Sequence, residues 1–211
     1  GIPVVIADCD LDWPDRVSFV ATDNRRGGEL AGEALADLLG GKGRVVMLRY
    51  LEGSASTFAR EEGFLEAIGG FDGIEVVSSN QYAGATNEGA YQSSENLLNS
   101  FADVDGIFCP NESAAFGMLR ALQDAGRTDD VAFVGFDASD KLVDALRDGE
   151  IDALVLQDPV KMGAVRACVG AIRGEAPEAR IDTGVVVVKS AEIDEPSVQA
   201  LLKPDLSILA Q

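Results

Sequence analysis

The sequence predicts an α/β fold with a mostly parallel, doubly wound sheet, and three observations lead there. Short apolar runs alternate with segments of helical period along almost the whole chain, the order of a repeated strand-helix unit. Some of the runs, Val131 to Phe136 above all, are apolar at nearly every position, as strands covered on both faces are. Three runs end on polar residues, in Cys-Pro-Asn at 109–111, Gly-Phe-Asp at 135–137 and Leu-Gln-Asp-Pro at 156–159.

Val4 to Ala7 and Val17 to Ala21 read as buried strands, separated by a polar turn, Asp10 to Asp15, that holds the single tryptophan. From Arg25 to Leu39 the period is helical, with Leu30, Ala31, Ala34, Leu35 and Leu38 recurring, and Gly40-Gly41 supplies a left-handed stop. Arg44 to Leu48 is the next strand. The segment Gly40-Gly41-Lys42-Gly43 therefore ends a helix rather than opening one, and no Ser or Thr follows its lysine as a phosphate loop requires. A helix over Phe58 to Ile68, a strand over Ile74 to Val77, a helix over Glu88 to Leu98 and a strand over Gly106 to Cys109 follow. Phe116, Leu119 and Leu122 share one face of a helix from Glu112 to Ala125 that stops at Gly126, ahead of the strand Val131 to Phe136. Leu142 to Leu146 is a short helix ending near Gly149, and Ala153 to Leu156 a strand. Pro159 stands where a first helical turn tolerates proline, with Asp158 as cap. A helix is expected from 159 to 173 with Met162, Val165, Val169 and Ile172 on its buried side. Past Gly174 a polar loop leads to a strand over Val185 to Val188 and an irregular tail.

Seventeen basic against 36 acidic residues leave a formal charge of −19, which repels nucleic-acid phosphates and anionic lipid headgroups, so no nucleic-acid partner is expected. The chain has no histidine, the commonest general base and metal ligand, and no catalytic residue, metal or cofactor is expected. Cys9, Cys109 and Cys168 are odd in number, widely spaced and set in apolar runs, which predicts free thiols. No stretch approaches the roughly 20 apolar residues of a membrane span. No signal segment opens the chain, and any leader is expected upstream of Gly1-Ile2-Pro3.

In an open α/β sheet, ligands bind in the crevice outside the carboxyl ends of the strands. Asn111, Asp137 and Gln157 bring amide and carboxylate groups to that edge. Together they can donate to and accept from hydroxyls, which suits a sugar or polyol better than a phosphate or an apolar ligand.

A wider pattern runs through the chain: Ile2-Pro3-Val4-Val5 with Asp8; Ala21-Thr22-Asp23-Asn24 with Gly27-Gly28 and Ala31-Gly32; Gly53-Ser54 through Ala59-Arg60 to Glu62-Gly63-Phe64. Asn111-Glu112, Ala121-Leu122, Val134-Gly135-Phe136-Asp137 and Gln157-Asp158-Pro159 continue it. In order and spacing this resembles the ribose-type periplasmic sugar-binding proteins of ABC importers. The resemblance implies a type I periplasmic-binding-protein-like fold with one complete lobe and remnants of another. Residues 1–23 and 158–184 would be the remnant of a first lobe, and 24–157 with 185–211 the second. It further implies a periplasmic or otherwise exported protein that binds a small sugar or polyol between lobes and meets ABC permease membrane subunits. Elements left without their first lobe would expose a strand edge and an apolar helix face, to be covered by the missing lobe or by self-association. The resemblance assigns ligand contacts to Asp8, Arg60, Asn111, Phe136, Asp137 and Gln157, with Phe136 against the apolar face of a sugar ring. Cys9 and Gly84 depart from the arginine and phenylalanine of ribose binders, and Tyr82 is close enough to Gly84 to substitute.

Each residue standing alone has a plainer reading. Asp137 could cap the helix after it, Arg60 and Asp8 could be solvated, and Phe136 could be core. Asn111-Glu112-Ser113 fits a glycosylation sequon but lies at the proposed site and is set aside. Two rival classes remain. Asp8-Cys9-Asp10 after an apolar strand resembles the nucleophile loop of magnesium-dependent haloacid-dehalogenase-type phosphatases, although Asp12 departs from that motif. The effector-binding domain of lac-repressor-like transcription regulators shares the same fold and binding logic, but the basic headpiece such regulators need is not visible.

Overall fold

The computed structural model describes residues 2–11, 13–161 and 163–203, so Gly1, Asp12, Met162 and the segment 204–211 lie outside the described residues. The chain runs β1 (Val5–Ala7), β2 (Ser18–Ala21), α1 (Asn24–Leu38), β3 (Lys42–Arg49), α2 (Ala55–Ile68) and β4 (Gly73–Tyr82). It continues through α3 (Asn87–Ser100), β5 (Gly106–Phe108), α4 (Glu112–Ala125), β6 (Ala132–Phe136), α5 (Asp140–Asp148) and β7 (Ala153–Gln157). The last part holds α6 (Val165–Ile172), β8 (Arg180–Asp182), β9 (Val185–Lys189), a 3-10 turn at Ser190–Glu192 and α7 (Pro196–Leu202).

Two sheets result. One is parallel, in the order β1-β2-β8; the other has the order β4-β3-β5-β6-β7-β9 and is parallel except for β9, which pairs antiparallel with β7. Side chains of the larger sheet alternate between two cores, as the period of two requires. Val45, Met47, Phe108, Val134, Phe136 and Val155 face α1 and α2, whereas Val46, Leu48, Ile107, Phe133 and Leu154 face α3, α4 and α5. The predicted α/β class with a mostly parallel, doubly wound sheet is what the chain adopts. Strand order reverses between β3 and β5, and the crevice at that reversal opens at the carboxyl edge.

Helices α1 and α2 meet backbone to backbone. A Cβ at Gly28 would lie 1.9 Å from the Arg60 carbonyl oxygen, and one at Gly63 would lie 2.1 Å from that of Arg25. Four residues beyond Arg60, Phe64 stacks on Phe108 of β5 with centroids 4.4 Å apart, which seats α2 on the sheet.

Five expectations change. The helix expected from Pro159 begins at Val165, because Asp158 caps only a local turn. Its Oδ1 accepts the Lys161 N–H at 3.0 Å, and the next turn closes from the Gly163 N–H to the Val160 carbonyl at 3.2 Å. The face of α6 expected to be buried is turned outward, with Val165 71% and Ile172 75% exposed, while Ala167 and Gly170 pack inward. Strand β4 extends to Tyr82 through the polar run Ser78 to Gln81, which an edge strand tolerates, and its register against β3 shifts after Val45 and Val46. The polar loop after Gly174 contains β8, and the tail contains α7, opened by Pro196 in its first turn.

Gly28→Ala and Gly63→Ala should each lose about 2 to 3 kcal/mol of stability in urea unfolding, since backbone cannot yield to the added methyl as a side chain can. Cys9 is exposed, Cys168 half-buried and Cys109 buried, all three free, and burial pushes the Cys109 thiol up. A disulfide-exchange reagent should modify Cys9 first and leave Cys109 untouched until denaturant is added, when three groups per chain titrate.

Candidate functional site

Arg60, on the second turn of α2, is only 3% exposed. Its Nε donates to Asn24 Oδ1 at 2.8 Å and its Nη1 donates to the Pro110 carbonyl at 2.8 Å. The guanidinium carbon sits 3.8 Å from the centroid of the Phe136 ring, a cation-π contact. Burial pushes the guanidinium down from its usual value, and the charges of Asp137, Asp8 and Cys9 act in the opposite direction. The side chain spans the reversal in strand order, since α2 follows β3 and Pro110 follows β5.

Asp137 follows β6 and is fixed by its own N–H, which donates to the Val155 carbonyl at 2.9 Å. Its Oδ2 accepts the Glu112 N–H at 3.3 Å and lies 3.6 Å from Arg60 Nη1, while Oδ1 accepts from Gln157 Nε2. The plainer reading of Asp137 as a cap of the next helix fails, because α5 has Ser139 at its N-cap. The carboxylate instead serves the first turn of α4, whose N-terminal dipole favours a negative charge. Asn111 caps that same helix, with Oδ1 accepting the Ala114 N–H at 3.4 Å and Nδ2 donating to Ser113 Oγ at 3.0 Å. Gln157 Oε1 is buried and has no hydrogen-bond partner among the described residues.

Arg60, Asp137, Gln157 and the α4 N-terminus at Asn111 thus form one connected group at the carboxyl edge of β5, β6 and β7. Asp8, at the end of β1, is exposed, yet close enough for its charge to act on Arg60. Phe136 is fully buried, with its ring in the core shared by α1 and α2 and its outer face covered by the guanidinium. Tyr82 lies instead on the edge strand β4 against Arg49, whose guanidinium stands 5.8 Å from its ring centroid. Asp8 and Asp137 hold left-handed backbone, at φ 68° and 71°. Asn24 and the Pro110 carbonyl were not among the expected site residues. Their contacts depend on the α1–α2 crossing, which no local pattern reveals.

Asp10 Oδ1 accepts from Arg16 Nη1 at 2.7 Å and from the Leu11 N–H at 2.8 Å, and among the described residues no three acidic, cysteine or histidine side chains gather to hold a metal. Among those residues no helix is long and apolar enough to cross a membrane.

The ribose import binding protein of Haemophilus influenzae is 34% identical over 189 residues, 89% of this chain and 63% of the relative, so the chain spans less than two thirds of that protein. A D-apiose import binding protein of Paraburkholderia graminis is 34% identical over 79% of this chain and 53% of its own length. Among solved structures, a carbohydrate transporter solute binding protein from Agrobacterium radiobacter in complex with D-arabinose superposes with a TM-score of 0.91 at 30% identity, covering 95% of this chain and 70% of that one. A solute binding protein from Agrobacterium vitis with bound D-fucose gives 0.90 at 34% identity over the same shares. The family model described as periplasmic binding protein domain matches residues 1–175, and the chain belongs to that family.

Proposed function

We propose that the protein is the sugar-binding part of an ABC importer's solute-binding component, without enzymatic activity, and that it holds a small uncharged sugar or polyol between two lobes. In this reading Arg60, Asn111, Asp137 and Gln157 contact hydroxyls from one lobe and Asp8 from the other, while Phe136 supports Arg60 from beneath. One observation carries the reading: the buried Oε1 of Gln157, beside the Asp137 carboxylate, has no hydrogen-bond partner among the described residues. A buried acceptor left unpaired is costly, and a ligand hydroxyl supplies the missing donor. The relatives' names as ribose and D-apiose import binding proteins, and the D-arabinose and D-fucose in the neighbouring structures, support a sugar.

The lobes of this reading are residues 1–23 with 158–184, which carry the sheet of β1, β2 and β8, and residues 24–157 with 185–211, which carry the larger sheet. The apolar side of α6, with Val165 and Ile172, is then the surface that the rest of the first lobe or a second copy covers. Export to the periplasm and docking on ABC permease subunits follow from the same reading.

Thermal-shift titration with D-ribose, D-arabinose, D-fucose, myo-inositol and xylitol tests it. A binder at a hundredfold excess over its Kd should add about 2.7 kcal/mol of stability, and no stabilisation by any of them would overturn the proposal. Asp137→Asn tolerates the left-handed backbone but removes the charge. It should weaken the best of these sugars by roughly one decade, and it should also lower the melting temperature, because buried Arg60 loses its ion-pair partner. Unchanged affinity would remove Asp137 from the site.

A further inference from the structure

We propose that Asn24 is the positioning residue for Arg60, fixing which edge of the guanidinium faces the crevice; its effect on affinity rests on the sugar-binding reading, its geometry does not. The Asn24 amide is 8% exposed, and its Oδ1 accepts the Nε–H of Arg60 at 2.8 Å. A guanidinium is a rigid planar fork, so holding Nε on Asn24 and Nη1 on the Pro110 carbonyl fixes its rotation in the plane. The Phe136 ring beneath fixes the plane itself. What remains for a ligand is the edge that ends in Nη2, which makes no hydrogen bond among the described residues.

Asn24 reaches Nε because of where it lies on α1. Gly28, one helical turn further on, is the residue whose missing side chain lets α1 touch the Arg60 carbonyl, and residues four apart share a helix face. Gly27, beside it, leaves room for the Phe136 ring, which would stand 2.9 Å from an added Cβ. One turn of α1 therefore seats the backbone, the ring and the Nε of the arginine together. The chemistry of an amide matters too. A neutral acceptor anchors Nε without neutralising the guanidinium, which leaves the charge shared between Asp137 and a bound hydroxyl.

Asn24 is also tied to the passage between the two sheets. The preceding residue, Asp23, donates its N–H to Asp182 Oδ1 at 3.0 Å, and the buried hydroxyls of Thr22 and Thr183 are 3.3 Å apart. The guanidinium is thus referenced to the crossing segments as well as to its own helix.

The test is the Nε–Hε resonance of Arg60 in proton-nitrogen NMR spectra of the protein, assigned by its loss in Arg60→Lys. In the native chain it should be well resolved and slow to exchange with water. Asn24→Ala should shift it and remove the exchange protection, while Asn24→Asp, which keeps an acceptor oxygen, should restore the protection. A resonance unchanged in Asn24→Ala would overturn the proposal. Calorimetric titration with D-ribose and D-arabinose adds a second readout. Asn24→Ala should weaken binding roughly tenfold in the native background and not at all in Arg60→Lys. Equal losses in both backgrounds would mean that Asn24 is merely structural and would also overturn it. If neither sugar binds the native protein, the sugar-binding reading loses its support, and the Arg60 resonance still decides the role of Asn24.

Discussion

A guanidinium almost wholly withdrawn from water has to find its partners inside the protein, and Arg60 draws them from four places. Asn24 comes from α1, Pro110 from the end of β5, Phe136 from β6 and Asp137 from the turn after it. Removing one partner of a buried ion pair typically costs about 3 to 5 kcal/mol, whereas exposed pairs such as those of Arg26 with Glu29 and Glu33 contribute about 0 to 1. The scale of that difference makes Arg60 the bolt that joins the α1–α2 pair to the sheet edge. The glycines at 28 and 63 are its precondition, since any side chain there would hold the two helices apart and leave the fork short of Asn24.

The next residue on α2 repeats the theme with the opposite sign. Glu61 is also buried, and desolvation pushes its carboxyl up, opposed by the Tyr50 N–H at 3.2 Å and the Arg49 guanidinium at 3.4 Å. Two consecutive buried charges thus pin α2 in two directions, Arg60 toward β5 and β6 and Glu61 toward the end of β3. The first turn of α2 lacks a side-chain cap from Ser54, so these tethers hold the N-terminal half of the helix where capping does not.

Much of this was legible in the chain. Apolar runs and helical periods located the strands and helices of the larger sheet because burial on both faces imposes them, and polar strand ends marked its carboxyl edge. Elements whose stability comes from distant partners were not legible. Strand β8, with the sequence Arg-Ile-Asp, has one apolar residue and exists because β2 lies beside it. The start of α6 is hidden in the sequence because Pro159 and Asp158 carry the local signature of a helix start but here close a separate turn. At the candidate site, residue types revealed which polar side chains end on the carboxyl edge of the sheet. They did not reveal that Phe136 would be roofed by Arg60, or that Asn24 would anchor it, because both facts depend on how closely two helices pack.

The left-handed backbone at Asp8 and Asp137 has an evolutionary consequence. Side chains that adopt such φ values without strain are few, chiefly Gly, Asn and Asp, so the alphabet open to mutation at those two positions is short. Selection would find little variation to work with there. Divergence is channelled toward neighbours whose backbone is unconstrained, Gln157 and Cys9 among them, and the two aspartates stand as fixed posts around which other residues can drift.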